Sequence, residues 1–263
     1  MKQADDLATG PATVNLRIHP SFGSEVGGTI IGGSGPSAFG VDEEQISELF
    51  EQLRQLHRVR VAGIHVFIAS NQRSAASLLT IYRKAFELAN KVQKEHGVTL
   101  EQIDLGGGLG VPYSSEESPL DIQALGRGLE TLLWDNSWFH GSVILEPGRY
   151  LASRCGVYLT RVIRTKRSRG VNFAILEGGI NQLLRPMLTG QPFPVKAVNV
   201  SGAAVETVLA GPLCTSLDRL GTVNLPPLSS GDLLAFGMTG AYGFTEAMTH
   251  FLSHAPAREI WNP

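Results

Sequence analysis

Charge is sparse in this sequence: 17% of its 263 residues are Asp, Glu, Lys or Arg, and 22 basic residues nearly balance 24 acidic ones, for a formal net charge of -2. A chain so balanced offers no basic stripe to a phosphate backbone, so nucleic acid is not an expected partner. Long apolar runs are missing as well. No stretch reaches the ~18 apolar residues of a membrane-spanning helix, and the opening residues lack the charged start and apolar run of a secretory leader. No membrane partner is expected. Only Cys155 and Cys214 represent cysteine, too few for a disulfide framework, which makes a reducing cytoplasm the default location. The seven histidines (19, 57, 65, 96, 140, 250 and 254) show no H-E-x-x-H or paired-cysteine spacing, so no metal site is expected. A GxSxG elbow, a GxGxxG fingerprint and a GxxxxGK[ST] loop are absent too.

Glycine is plentiful, with 30 residues beside 14 prolines, in a chain that is 43% hydrophobic. That composition is globular, and the length suits one large domain or two smaller ones. In the first half, extended apolar segments alternate with amphipathic helices. Strands are expected over residues 13–18, 59–68, 102–105 and 142–145. Helices are expected after Asp42 to about residue 56, over about 74–96 and over about 120–133. The glycine-rich run between Ser21 and Phe39 reads as a loop. Strands separated by helices of these lengths form parallel βα units, whose chemistry gathers at the carboxyl ends of the strands. From Gly156 onward the apolar runs are short, often alternating and separated by turn residues, the pattern of an antiparallel β domain. The boundary falls near residue 150, giving domains 1–150 and 151–263, with a short helix expected near Thr245–Phe251.

Several strand ends carry residues suited to a ligand. Gly106-Gly107-Gly108-Leu109-Gly110 leaves backbone N–H groups open to an anion without Cβ interference, or it is a tight turn with no ligand. Glu146-Pro147-Gly148-Arg149 sets an acid and a guanidinium three residues apart. The acid suits a proton on a ring nitrogen and the arginine suits a phosphate or a substrate carboxylate; a surface ion pair is the plain alternative. Cys214 lies in a loop between β segments, where a thiol serves as acid or nucleophile or simply as a small hydrophobe. Cys155 reads as structural, within a strand region.

Taken in order, SxFG (37–40), GIHVFIAS (63–70), DLGGGLG (104–110), EPGRYL (146–151), GPLC (211–214), GD (231–232) and GAY (240–242) resemble the alanine-racemase-like, fold-type III pyridoxal-phosphate decarboxylases. That family includes the diaminopimelate, ornithine and arginine decarboxylases, and the resemblance runs from about Val14 to Trp261. It implies an α/β plus β architecture: the C-terminal part of a (β/α)8 TIM-like barrel followed by an antiparallel β-barrel-like domain. The implied cofactor is pyridoxal 5'-phosphate, its phosphate held by Gly106, Gly107, Gly108, Ser70 and Tyr242 and its ring nitrogen by Glu146. Arg149 is implied to bind the phosphate or a substrate carboxylate. Cys214 resembles the family's proton donor to the substrate carbon, presented across a head-to-tail homodimer. The implied activity is loss of carbon dioxide from an amino acid or a carrier-protein-bound aminoacyl group.

The departures from the family pattern are as informative. Phe67 stands where the family stacks a histidine on the ring, which keeps an aromatic face and loses the ionisable edge. Thr215 follows the cysteine where relatives carry an acid that grips a distal amine. Arg185, in the NQLLRP segment, resembles the arginine that meets a substrate carboxylate, and Thr189 replaces a tyrosine that usually follows. This combination resembles the branch linked to secondary metabolism and exopolysaccharide clusters, which includes enzymes acting on carrier-protein-bound aminoacyl groups, more than the diaminopimelate enzymes. The family's cofactor-tethering lysine, in a [YF]xxKAN strand, has no counterpart among Lys2, Lys84, Lys91, Lys94, Lys166 and Lys196. By the family plan, half a barrel with open strand edges and an exposed apolar inner face is expected, inactive without that lysine. A racemase of the same fold and a non-catalytic partner subunit that lends Cys214 to a complete protomer are the alternatives.

Overall fold

The computed structural model describes residues 2–22 and 35–261, so most of the glycine-rich run expected as a loop lies outside the described residues. The chain divides into two compact units, Met1–Val111 with Pro119–Pro147, and Pro112–Ser118 with Gly148–Pro263.

The first unit holds α1 (Lys2–Leu7), β1 (Ala12–His19), β2 (Val41–Asp42), α2 (Ile46–Leu53), β3 (Val59–Val66), α3 (Ala75–His96), β4 (Gln102–Asp104), α4 (Ile122–Asp135) and β5 (Ser142–Ile144). Its sheet runs β2-β1-β3-β4-β5 with every pair parallel. The helices between β3 and β5 are the crossovers that parallel pairing requires. Their ends are written in the sequence. The Ser74 side chain accepts from Ser77 N–H to start α3, Gly97 ends it at φ +66°, and Asp121 caps α4 by accepting from Ala124 N–H. Asp42 behaves otherwise. It makes no capping bond, because it belongs to the two-residue strand β2 beside β1, and α2 begins only at Ile46 after a 3-10 turn.

Alternation along the strands sorts the sheet into two faces. Leu16, Ile18, Ile64, Val66 and Ile103 are buried, as are Leu78, Tyr82, Phe86, Ala89 and Val92 along one stripe of α3; together they form this unit's core. The opposite face carries Arg17, His65 and Asp104 in register across β1, β3 and β4. One layer earlier, Asn15 Nδ2 donates to Gln102 Oε1 at 3.0 Å. The pair spans Gly63, where a Cβ would collide with the Asn15 side chain and the Gln102 carbonyl. The expectation of an apolar inner face is therefore not met among the described residues. This part of the sheet contributes polar side chains at alternate positions, which water or a ligand can meet without hydrophobic cost.

The second unit contains α5 (Gly148–Ala152), β6 (Tyr158–Ser168), β7 (Val171–Leu176), α6 (Arg185–Thr189), β8 (Val195–Val198), β9 (Val205–Ala210), β10 (Arg219–Leu225) and β11 (Leu233–Phe236). The strands form one sheet in the order β10-β9-β7-β6-β11-β8. It is mixed rather than wholly antiparallel, since β7 and β9 pair in parallel while the other pairs are antiparallel. Val162, Ala174, Leu176, Leu209, Leu234 and Phe236 fill its core. Two local expectations are corrected. Cys155 ends a 3-10 turn, Ser153–Cys155, and is exposed rather than lying within a strand. Residues 245–250 form turns, followed by a short 3-10 segment, Phe251–Ser253, in which Leu252 and Ser253 take positive φ; a helix cannot run through such backbone.

The core stripe of α3 contains one anomaly. Tyr82 is 1% exposed and its hydroxyl has no hydrogen-bond partner. Burial pushes its pKa up from 10.0 to about 12. The folded chain keeps that proton after the unfolded chain has lost it, so this contribution to stability is whole below pH 10 and drains away as pH rises towards about 12. Tyr82→Phe is expected to leave stability at pH 7 unchanged or raised by up to about 1 kcal/mol. It should also remove on the order of 2 kcal/mol of the alkaline loss. Urea unfolding of wild type and variant at neutral pH and between pH 10 and 12 measures both; identical alkaline slopes would contradict the assignment.

Candidate active site

In the first unit the carboxyl ends of β3, β4 and β5 are laced together by main chain. Leu105 N–H donates to Ile144 C=O at 3.0 Å, Glu146 N–H to Gly106 C=O at 2.9 Å, Gln72 N–H to Gly108 C=O at 2.8 Å and Gly110 N–H to Gln72 C=O at 2.9 Å. Asn71, at φ +52°, turns its side-chain oxygen to accept from Val111 N–H at 2.9 Å. This weave leaves no space for side chains at residues 107 and 108 of the loop after β4. A Cβ on Gly107 would lie 2.7 Å from the Glu146 carbonyl oxygen, and one on Gly108 would collide with the Ala69 carbonyl. Gly106 and Gly108 also take φ of +64° and +101°, which glycine adopts at no steric cost. At residues 106–108 the loop is bare backbone.

Around this turn stand the side chains named from the sequence. Phe67 is half-buried, with its ring edge 3.0 Å from where a Gly106 Cβ would be, and the Arg17 guanidinium lies 5.8 Å from the ring centre. Ser70, also half-buried, ends the same segment. Glu146 follows β5, and its carboxylate oxygen lies 3.6 Å from His65 Nε2, a buried nitrogen with no hydrogen-bond partner. Asp104 completes the group: it accepts from Gly106 N–H at 2.9 Å, and one ligand atom each from His65, Asp104 and Glu146 fall within 4.8 Å of one another. One imidazole and two carboxylates suit either a divalent cation or a protonated ring nitrogen. Sequence reasoning passed over His65 and Asp104. Their signal was alternation, since each precedes a recognised residue, Phe67 or Gly106, by two positions along its strand.

The second unit holds the remaining named residues. Arg149 is buried in α5, donates to the Tyr113 hydroxyl at 2.9 Å and places its guanidinium 5.1 Å from the Tyr242 ring centre. Arg185 lies 4.5 Å from the same ring centre. Its guanidinium also meets Glu246, with Nη1 2.6 Å from both carboxylate oxygens, and this carboxylate was not among the residues read from the sequence. Tyr242, at φ +63°, lines a cavity of about 400 Å³ with Tyr158, Gln182, Leu183, Phe244 and Thr245. The Tyr158 hydroxyl donates to Gln182 Oε1 at 2.8 Å, and burial pushes its pKa up to about 12, so it stays a neutral donor at physiological pH.

Cys214 is exposed on the loop between β9 and β10. That loop is organised by Asp218, which is 3% exposed. One carboxylate oxygen accepts from Ile180 N–H at 2.8 Å and the other from Leu213 N–H at 2.7 Å. Gly179 and Gly211 approach this carboxylate so closely that any Cβ would collide with it. Thr215 is a turn residue, its hydroxyl accepting from Leu217 N–H and its carbonyl from Asp218 N–H. Thr189 closes α6 by donating its hydroxyl to Arg185 C=O at 2.8 Å. Asp218→Asn turns one acceptor into a donor facing an N–H group. It should cost about 2–4 kcal/mol in urea unfolding and speed hydrogen exchange at the Ile180 and Leu213 amides. Unchanged exchange there would show that Asp218 does not hold the cysteine loop.

Comparison with known proteins places the chain among relatives at the level of family, sequence and fold. Residues 1–153 match the family model described as pyridoxal-dependent decarboxylase, pyridoxal binding domain. The chain is 34% identical over 264 residues to L-glutamyl-[BtrI acyl-carrier protein] decarboxylase of Niallia circulans, covering 95% of this chain and 61% of that protein. It is 32% identical over 236 residues to diaminopimelate decarboxylase of Thermoplasma acidophilum, covering 89% and 56%. Among solved structures, diaminopimelate decarboxylase from M. jannaschii in complex with L-lysine superposes with a TM-score of 0.85 at 25% identity, covering 97% of this chain and 59% of that one. The chain thus spans less than two thirds of the length of the curated relatives it matches.

Proposed function

The chain belongs to the pyridoxal-dependent decarboxylase family, and we propose that it serves the removal of the α-carboxylate from an amino acid or a carrier-bound aminoacyl group, with pyridoxal 5'-phosphate as cofactor. The observation that carries this reading is the bare backbone turn at Gly106–Gly108, where the chain's own carbonyls exclude any Cβ, with Glu146 beside it, 3.6 Å from a His65 nitrogen that has no hydrogen bond. These residues fit a planar, phosphorylated heterocycle. Gly107 and Gly108 would hold the phosphate by backbone N–H groups and Ser70 by its hydroxyl, while Gly106, whose N–H is held by Asp104, would shape the turn. Phe67 would cover one face of the ring, and Glu146 would keep a proton on its nitrogen. When bound, the cofactor supplies an electron sink for the bond to the departing carboxylate.

The second unit would contribute the proton donor, Cys214. As the bond between the α-carbon and the carboxylate breaks and carbon dioxide leaves, the thiol proton passes to that carbon, and the thiolate regains a proton from water. Support for this role is the exposure of Cys214 on a loop fixed by Asp218. Arg149 is assigned to phosphate or substrate carboxylate binding, Tyr242 to the cofactor phosphate, and Thr215 to the substrate side. In a head-to-tail pair of copies, Cys214 of one would serve the other. Full turnover would need an amine from outside this sequence, because none of its six lysines lies at a carboxyl end of the first unit's strands: Lys2 is in α1, Lys84, Lys91 and Lys94 are in α3, Lys166 is in β6 and Lys196 is in β8. No helix among the described residues is long and apolar enough to cross a membrane; we place the protein in the cytoplasm. The relative acting on a carrier-bound glutamyl group supports a carrier-bound substrate.

Incubation in D2O with pyridoxal 5'-phosphate, a second polypeptide carrying the family's lysine-bearing part of the barrel, and a panel of free amino acids and glutamyl thioesters tests the reading. Release of carbon dioxide with deuterium at a single position of the product amine is expected, and Cys214→Ala should lose that stereospecificity and at least about tenfold in rate. Deuterium returning in undecarboxylated, racemised substrate would overturn the assignment in favour of a racemase.

A further inference from the structure

Arg185 is the residue whose sequence-based role the structure changes most. Its side chain is 7% exposed, and Nη1 lies 2.6 Å from both carboxylate oxygens of Glu246, whose side chain is 27% exposed. The charge that a substrate carboxylate would seek is already neutralised, and an incoming carboxylate would meet the negative charge of Glu246 beside it. Arg185 Nε–H, in contrast, is buried with no acceptor. A buried donor left unpaired is costly and is satisfied by any neutral oxygen that reaches it. A cavity lies next to the pair: Arg185 lies over the Tyr242 ring, and Tyr242 lines the 400 Å³ cavity together with Gln182, Leu183 and Thr245, close in sequence to Arg185 and Glu246, which stand behind that lining.

We infer that Glu246 is a specificity-determining residue: by holding Arg185 it excludes substrates with a free distal carboxylate and admits those whose distal end is a neutral acyl group, an ester, thioester or amide whose carbonyl accepts from Arg185 Nε–H. The inference rests on the decarboxylase reading and deepens it, since it names the chemistry at the end of the substrate remote from the carboxylate that leaves. Glu246 acts through Arg185 and is a positioning residue.

The test needs no cofactor, so it fails or succeeds independently of the deuterium experiment. Glutaramide and glutarate, neutral and doubly charged probes of similar length, are titrated into the 15N-labelled chain while the Arg185 Nε–H signal, identified by its loss in Arg185→Met, is followed. In wild type, glutaramide should shift the signal at concentrations at least about tenfold lower than glutarate. Glu246→Gln, which keeps the shape and removes the charge, should reverse the order; Glu246→Asp, which keeps the charge, should preserve it. With far-UV circular dichroism confirming that each variant is folded, an unreversed order in Glu246→Gln would overturn the inference. So would a signal that neither probe moves in wild type, or an order reversed equally by Glu246→Asp.

Discussion

Backbone packed directly on backbone, at the carboxyl ends of β3, β4 and β5, is the constraint from which the first unit's site follows. The carbonyls of Ala69 and Glu146 occupy the space that side chains at residues 108 and 107 would need, and hydrogen bonds through Gln72, Gly106 and Gly110 lock the three strand ends in that contact. Glycine is required there by geometry, and the result is a run of bare peptide groups beside Phe67, His65 and Glu146. A family resemblance names these residues as a cofactor site. The packing explains why the site needs glycines to exist.

The second unit reaches a comparable close approach by other means. There a buried carboxylate, Asp218, ties the main chain at Ile180 to that at Leu213, and Gly179 and Gly211 allow it to come near. Cys214 thus sits on a loop with a fixed base and an exposed tip. Nearby in the same unit, Arg149 and Arg185 both face the ring of Tyr242, and Glu246 offsets one of the two positive charges. Each device trades an ionisable group's freedom for a defined position.

Much of this was legible in the sequence, because period and punctuation are local properties. The strands and long helices of the first unit follow from apolar spacing, and the structure ends those helices with Ser74, Gly97 and Asp121. What escaped was what depends on contacts distant in the chain. The parallel pairing of β7 with β9 is set by where strands meet, since the alternation along each is the same for either direction. The polar inner face came from alternate residues in three strands, Arg17, His65 and Asp104, each unremarkable alone. Glu246 lies 61 residues from Arg185, and no spacing rule pairs them. The end of α2 and the turns after residue 244 show the converse, apolar spacing that promised more helix than the backbone delivers.

The central claim is that the glycine turn holds pyridoxal 5'-phosphate, and affinity measured by isothermal titration in wild type and Gly108→Ala tests it most directly. The substitution adds one methyl group where the Ala69 carbonyl already stands and where φ is +101°. Saturable binding by wild type, weakened at least about tenfold in a variant with an unchanged far-UV spectrum, is the predicted result. Equal affinity in the two proteins, or no binding by wild type, would contradict the account.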